Sequence, residues 1–430
     1  MSSMKKYAFL LGSHSLLSYL EILNMAKVEK ITTGEHYRMG DDILVIEMKA
    51  DKDRLQKLQD LLGGTIKIIE IVDEYHGTIF QLNRILTPEK LIEDYFAQTK
   101  SKVNFGFSVY STSHLVYAEI NWLRNFAYQL KRKFKPDFSI RYVDEKNFEL
   151  SSVMVTNNRL VETGAEIVLI KQEMNFMIGK TITVQDFRAY VKRDMEKPSP
   201  NAKSGMLPPK LAQMIVNLTR DTDHKQVYDP FCGSGVLLQE AMLVGLSVVG
   251  SDIADHAVIS TRENLEWLVK TYNVAAQKEG KTKIKEIKAE EQIKQLDATK
   301  SKWAKVNTET TFVAAEPYLG PPQRSTLLIH NAKTIATELE ELYVGFFENM
   351  AKNYNKINRI GFVLPVLKTN EGLLYMNVIE KIEKLGYARK EFLPAEESKK
   401  EALATHRGSL LYSRPDQHVL REIFVFDRVK

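Results

Sequence analysis

Val227-Tyr228-Asp229-Pro230-Phe231-Cys232-Gly233-Ser234-Gly235-Val236-Leu237-Leu238-Gln239-Glu240-Ala241 is the stretch whose reading decides the fold. Gln226 to Tyr228 reads as the end of a buried strand, and Asp229-Pro230 stops it, because Pro230 cannot donate to a ladder. Gly233 and Gly235 let the backbone turn sharply and approach a ligand closely. From Val236 the apolar residues Leu237, Leu238, Ala241 and Met242 fall on one helical face. A strand, a glycine turn and a helix N-terminus make a nucleotide-type site. Further along, Val248-Val249-Gly250-Ser251-Asp252 reads as a second strand ending in a carboxylate, placed to accept hydrogen bonds from ribose hydroxyls. The plainer alternative is an ordinary strand-turn-helix with a surface Asp; turn and acid falling together favour the site.

What the stretch lacks narrows the nucleotide. The dinucleotide fingerprint wants a third glycine for close helix packing, and here Val236, Leu237 and Leu238 follow Gly235. No long phosphate-cradling loop closing in Gly-Lys-Ser/Thr accompanies it. Asp229 at the strand tip repels a pyrophosphate but suits a cationic sulfonium amino acid. That favours S-adenosylmethionine over NAD or ATP.

The chain has 430 residues, 44% of them hydrophobic, which is enough for two or three domains and a large core. A net charge of +5 permits nucleic-acid binding and equally fits uniform solubilising charge. Cys232 is the single cysteine; this excludes an internal disulfide framework and fits a reducing compartment. Inside the glycine turn it reads as a small packed residue rather than a nucleophile. No segment approaches the roughly 18 apolar residues of a membrane helix. Met1 to Lys6 leads straight into a short strand, with no apolar leader. A soluble cytoplasmic protein with no membrane segment and no metal site is expected.

In the N-terminal half, Tyr7–Leu11, Ser15–Met25, Lys30–Tyr37, Ile43–Ile46, Asp53–Leu62 and Thr65–Val72 read in the order βαββαβ, a ferredoxin-like unit. Thr87-Pro88-Glu89-Lys90 starts a new helix with a Thr cap and Pro at the first position. Strands are expected at Asn104–Tyr110, Ile140–Val143, Ala165–Ile170 and Asn175–Val184. A long helix from about His114 ends in Lys131-Arg132-Lys133-Phe134-Lys135. These cations with an aromatic among them can grip phosphates, or simply cap the helix dipole in solvent. This second α/β module shows no catalytic constellation, so binding is its expected task. Asp186 to Gly205 is a polar joint with several cations and prolines.

From about residue 205, strands and helices alternate, which means a doubly wound sheet with ligands at the strands' carboxyl ends. Asp297 follows a short apolar patch in a Lys/Glu-rich region; it reads either as an acceptor for an adenine amine or as a solvated acid. Thr311 to Ala315 is a buried strand ending in Glu316-Pro317-Tyr318-Leu319-Gly320. The central turn, Asp252 and this tip all fall on one sheet edge. Methyl transfer to an exocyclic base amine needs an acceptor on the N–H groups, a rigid carbonyl and an aromatic face for the extruded base. Glu316, Pro317 and Tyr318 are read in those roles; a proline-rich loop with an incidental acid is the alternative.

Asp229-Pro-Phe-Cys-Gly-Ser-Gly, Asp252 and the acid-Pro-Tyr tip resemble the amino-methyltransferases of nucleic-acid amines. Arg193-Asp194 with Lys197-Pro198, then Gly205-Met206-Leu207-Pro208-Pro209-Lys210, then Tyr412-Ser413-Arg414-Pro415 ahead of Arg421-Glu422-Ile423 narrow this further. Together they resemble the THUMP-containing tRNA guanosine N2-methyltransferases that modify position ten. The resemblance implies an α/β chain in four parts. Residues 1–86 would be ferredoxin-like, 87–184 a THUMP RNA-binding domain, 185–204 a linker and 205–430 a Rossmann-fold methyltransferase. It implies that Asp229, Pro230, Phe231, Gly233, Gly235, Asp252 and Asp297 hold S-adenosylmethionine. It also implies that Lys131, Arg132, Lys133, Lys135, Arg193 and Lys197 meet tRNA, the THUMP module gripping the acceptor end. One departure stands out. The family tip reads Asp-Pro-Pro-Tyr-Gly; here either Glu316 replaces the Asp with one proline lost, or Ala315 occupies the Asp place. The alternatives to a tRNA guanine enzyme are the same chemistry on rRNA guanine or DNA adenine, and a tRNA-binding protein with impaired catalysis.

Overall fold

The computed structural model describes residues 3–96, 103–112, 115–134, 139–200, 207–279, 283–393, 401 and 404–429. The chain forms two compact units. The first comprises Met1–Ile22, Glu29–Asp60 and Gly64–Phe187; the second comprises Leu23–Val28, Leu61–Gly63 and Arg188–Lys430.

In the first unit β1 (Lys5–Leu11), α1 (Ser15–Val28), β2 (Thr32–Met39), β3 (Ile43–Lys49), α2 (Lys52–Leu61) and β4 (Thr65–His76) follow one another. Their strands lie in the order β2-β3-β1-β4, the βαββαβ arrangement expected from the periodicity. α3 (Pro88–Lys90), β5 (Val103–Ser111), α4 (Tyr117–Phe134), β6 (Ile140–Val143), α5 (Ser152–Asn157), β7 (Ala165–Gln172) and β8 (Asn175–Val184) come next. All eight strands join one sheet, β2-β3-β1-β4-β8-β7-β5-β6. The seam is β4 against β8, antiparallel from Lys67↔Val184 to His76↔Asn175. β4 therefore outruns its apolar stretch: polar Asp73, Glu74 and His76 remain in the strand because β8 supplies their backbone partners. Phe105, Phe107, Phe126, Phe134, Phe148 and Phe176 form a core beneath the β5–β8 half.

A charge pair is sealed inside this sheet. Lys67 on β4 and Glu166 on β7 are 1% and 0% exposed, with Nζ 2.5 Å from Oε1. Lys67 also donates to the Leu150 carbonyl at 2.6 Å, and Ser108 and Thr181 donate to the Glu166 carboxylate. Such a pair adds little net stability, but breaking it leaves a bare charge in a low dielectric.

In the second unit α6 (Phe187–Met195) fills the first half of the polar joint. α7 (Pro209–Thr219), β9 (Gln226–Asp229), α8 (Val236–Leu243), β10 (Ser247–Asp252), α9 (Asp255–Glu279), α10 (Ala289–Gln292), β11 (Ile293–Gln295) and β12 (Thr311–Ala315) follow. The chain continues with α11 (Ile329–Asn353), β13 (Arg359–Thr369), β14 (Gly372–Tyr375), α12 (Ile379–Lys384), β15 (Tyr387–Arg389), β16 (Leu410–Tyr412) and β17 (Val419–Arg428). The sheet runs β11-β10-β9-β12-β13-β17-β15, with β14 on β13 and β16 on β17. β11 through β13 are parallel, and β17 is antiparallel between β13 and β15. The chain winds outward from β9 to β11, then crosses back to β12 on the other side of β9. The order reverses there, and ligands of open α/β sheets sit at that point. Among the described residues no helix is long and apolar enough to cross a membrane.

Lys67→Met should destabilise the chain by about 3 kcal/mol by stranding Glu166. Urea denaturation followed by circular dichroism measures this; an unchanged midpoint would show that the pair carries no such weight.

Candidate active site

The site grows from the end of β9. Asp229 is 3% exposed, paired in register with Gly250 of β10. Its Oδ1 accepts from the Phe231 amide at 3.0 Å, which bends the chain around Pro230. The Cys232 amide donates to the Ser251 carbonyl at 2.9 Å and ties the turn to β10. Gly233 and Gly235 take φ of +54° and +80°, the left-handed region that side chains disfavour. Among the described residues, a side chain at Gly233 would meet nothing closer than a carbonyl at 4.0 Å, so that face of the turn is open to them. At Gly235 it would press on Thr261 at 3.0 Å.

Asp252 closes the loop from the next strand. Its Oδ2 accepts from the Gly233 amide and its Oδ1 from the Ala254 amide, each at 3.0 Å. A carboxylate has about four acceptor positions, so two remain for a ligand's hydroxyls. Two residues of α9, missed in the sequence, brace the turn from behind. Thr261 Oγ1 donates to the Gly233 carbonyl at 2.8 Å. Asn264 Nδ2 donates at 2.9 Å both to the Ser234 carbonyl and to the Ser199 carbonyl. Their i, i+3 spacing on one helix face was the available signal. Cys232 is buried, and burial pushes its thiol up, with Asp229 adding to the shift; this fits a packed residue.

Asp297 follows β11, beside β10. Its Oδ1 accepts from the Thr299 hydroxyl at 2.6 Å and the Thr299 amide at 2.9 Å. The Thr299 hydroxyl, first, holds this acid below its ordinary range.

Across the switch point β12 delivers the tip. Ala315 is fully buried and paired with Phe362 of β13, so Glu316 is the first acid beyond the strand. Its carboxylate is gripped by Arg421 of β17: Nε lies 2.5 Å from Oε2 and Nη2 3.2 Å from Oε1. Burial alone would lower the Arg421 guanidinium; Glu316 more than reverses this. Pro317 is buried, and Tyr318 is 55% exposed. The Tyr343 hydroxyl, on α11, donates to the Tyr318 carbonyl at 2.7 Å and fixes the loop. Tyr343 gave no signal in the sequence, and Arg421 stood out only within the Arg421-Glu422-Ile423 motif, without a role: both reach the tip from other elements of the chain.

Three acids thus meet at one edge. Burial, first, and then Asp252 and Glu316 push the Asp229 carboxyl well above its usual 3.8, against the pull of the Phe231 amide.

The cations expected to face RNA divide. At the end of α4, Arg132 and Lys133 are exposed and Lys131 half-buried; Lys135 lies outside the described residues. Arg193 and Lys197, expected to meet tRNA, are buried instead, 5% and 3% exposed. Arg193 forks the buried Glu240 of α8 at 2.6 and 3.1 Å, meets the Tyr272 hydroxyl at 2.5 Å and lies over the Tyr190 ring. Its charge is spent holding α6 on α8, so it is not offered to a phosphate.

Residues 198–316 match the model of the UPF0020 family, described as an RMKL-like methyltransferase domain. The chain is 27% identical over 205 residues to the tRNA (guanine(10)-N2)-dimethyltransferase of Methanocaldococcus jannaschii, covering 45% of this chain and 55% of that one. It is 40% identical over 172 residues to the Pyrococcus abyssi protein of the same name, covering 39% and 43% respectively. The matches thus span about half the length of these curated relatives. Among solved structures, TrmN from Thermus thermophilus shares the fold, with a TM-score of 0.51 and 12% identity over 99% of this chain and 100% of that one.

A buried acid titrating above its unfolded value stabilises the fold while protonated and loses that contribution as pH rises, because the unfolded chain ionises first. Between about pH 5 and about pH 8, Asp229→Asn should therefore lose less thermal stability than the unaltered, ligand-free chain. Scanning calorimetry at the two pH values checks this; equal losses would count against the buried acid.

Proposed function

We propose that this chain, which carries an RMKL-like methyltransferase domain over residues 198–316, is an S-adenosylmethionine-dependent tRNA methyltransferase acting on the N2 amine of a guanosine, the one at position ten. The observation that carries the reading is the sheet edge itself. The open glycine turn, Asp229 and Asp252 lie on one side of the β9/β12 switch point, and Glu316-Pro317-Tyr318 on the other.

The residues fit the cofactor. The open face of Gly233 admits close approach, Asp252 has acceptor positions left for ribose hydroxyls, and Asp229 suits a cationic amino acid portion. Asp297 sits beside β10, where an adenine amine would find an acceptor. Bound there, S-adenosylmethionine supplies a methyl group on a sulfonium, and a base amine takes it by in-line displacement. The chain's own contribution is positional and electrostatic. Glu316 accepts from the amine N–H groups, drawing the nitrogen lone pair out of the ring, and takes up the proton released as the N–C bond forms. Tyr318 offers an exposed ring to stack on an extruded base. Tyr343 keeps that loop in place. The cations Lys131, Arg132 and Lys133 at the end of α4 are suited to phosphates. A cytoplasmic setting, where tRNA is processed, agrees with the single buried thiol.

The relatives' names favour tRNA and guanine over rRNA guanine or DNA adenine. A second reading, an impaired enzyme that only binds tRNA, draws on the engagement of Glu316 by Arg421. Labelled S-adenosylmethionine and bulk tRNA, followed by mass spectrometry of the nucleosides, decide. N2-methylated guanosine is expected, and Glu316→Gln should slow its formation about 100-fold. Label in adenosine refutes the guanine assignment; binding of tRNA without label supports the second reading.

The cofactor's ammonium favours ionised Asp229, whose free acid titrates high, so affinity should rise with pH and binding should release a proton. Asp229→Asn should flatten this dependence and weaken binding by about tenfold or more. Calorimetry in buffers of different ionisation enthalpy measures both, and an unaltered profile would remove Asp229 from the cofactor site.

A further inference from the structure

We propose that Arg421 is a positioning residue for catalysis: its guanidinium aims the Glu316 carboxylate at the amine of the substrate base. The proposal rests on the methyl-transfer reading above and extends it to a residue from the far end of the chain.

A glutamate has one more rotatable bond than the aspartate of the related tip, so its unaided carboxylate samples more orientations. Arg421 removes that freedom. Its own backbone is held on both sides of β17, opposite Pro365 of β13 and Tyr412 of β16, and its side chain is 7% exposed. Both prongs of the planar fork engage, Nε on Oε2 and Nη2 on Oε1, a geometry that sets direction as well as distance. Each oxygen is used once, so each keeps an acceptor position. One of these free acceptor positions, held in a fixed plane, is enough to take an N–H of an exocyclic amine. A lysine in the same place would offer a point charge without the plane.

The charge balance points the same way. Glu316 acts on buried Asp229 of β9 and on Tyr343 of α11, while Tyr318 shares its loop; Tyr412 of β16 faces Arg421. Arg421 is the ion-pair partner that the described residues provide for Glu316. Without it Glu316 would join Asp229 and Asp252 at the edge with no counter-charge among the described residues.

The test uses the full chain as Glu316→Gln, Arg421→Gln, Arg421→Lys and the double variants of Glu316→Gln with each. Single-turnover methyl transfer to tRNA is read beside calorimetric cofactor affinity, KM for tRNA and the thermal midpoint. Arg421→Gln should slow transfer about 100-fold while cofactor affinity and KM stay within about twofold, and Arg421→Lys should recover about a tenth of the rate. Added to Glu316→Gln, either change should cost less than about twofold more, because the pair acts as a unit. Losses that multiply in the double variants, or full rate in Arg421→Gln, overturn the proposal. Should Arg421→Gln fail to fold, Arg421→Lys decides alone: full rate overturns it, and a loss that vanishes in the Glu316→Gln background supports it. Transfer to an adenine amine instead would refute the guanine reading and leave this test intact. Absence of any transfer by the unaltered chain refutes the reading and the role of Arg421 together.

Discussion

The parallel pairing of β9 with β10 on one side and β12 on the other is the constraint on which the site depends. Register places Val249 and Val313 both beside Tyr228, so three strands end at nearly the same height. Asp229, Asp252 and Glu316 then emerge together, although they are scattered through the sequence. The crossover that sends the chain from β11 back to β12 opens the crevice between them. No side chain has to be long to reach this sheet edge; the sheet brings each one there.

That convergence has an electrostatic cost. Three carboxylates at one edge repel, and Asp229 is buried besides. The structure manages each acid differently. Asp252 is satisfied by two backbone amides, Glu316 by a forked guanidinium, and Asp229 by one amide and a raised titration point. Asp229 is thus the least compensated of the three. Its turn is braced at the same time: Thr261 and Asn264 hold the carbonyls of Gly233 and Ser234 from behind.

Two further buried ion pairs serve architecture instead. Lys67–Glu166 lies inside the first unit's sheet, and Arg193–Glu240 fastens α6 to α8 within the second. The latter explains why a basic stretch of sequence can mislead. A cation in a polar joint reads as exposed, yet α6 folds and turns Arg193 inward onto Glu240, which sequence shows only as one polar position of an apolar helix. Arg132 and Lys133 differ because α4 ends there, and among the described residues both stay exposed.

Local chemistry alone determined much of this protein. The strand-turn-helix at Asp229 to Val236, the acid closing β10, the βαββαβ order and the buried strand before Glu316 all follow from apolar periodicity, glycine conformation and proline's missing donor. Those signals lie within a few residues of one another, so they are readable along the chain. Tertiary structure decided what depends on pairing between distant segments: the single sheet made by β4 and β8, and the burial of Arg193, Lys197 and Ala315. It also decided the arrival of Arg421 and Tyr343 at the Glu316 tip. These contacts join residues tens to more than a hundred positions apart, and nothing in a local pattern records which strand or helix a side chain will face once the sheet has closed around it.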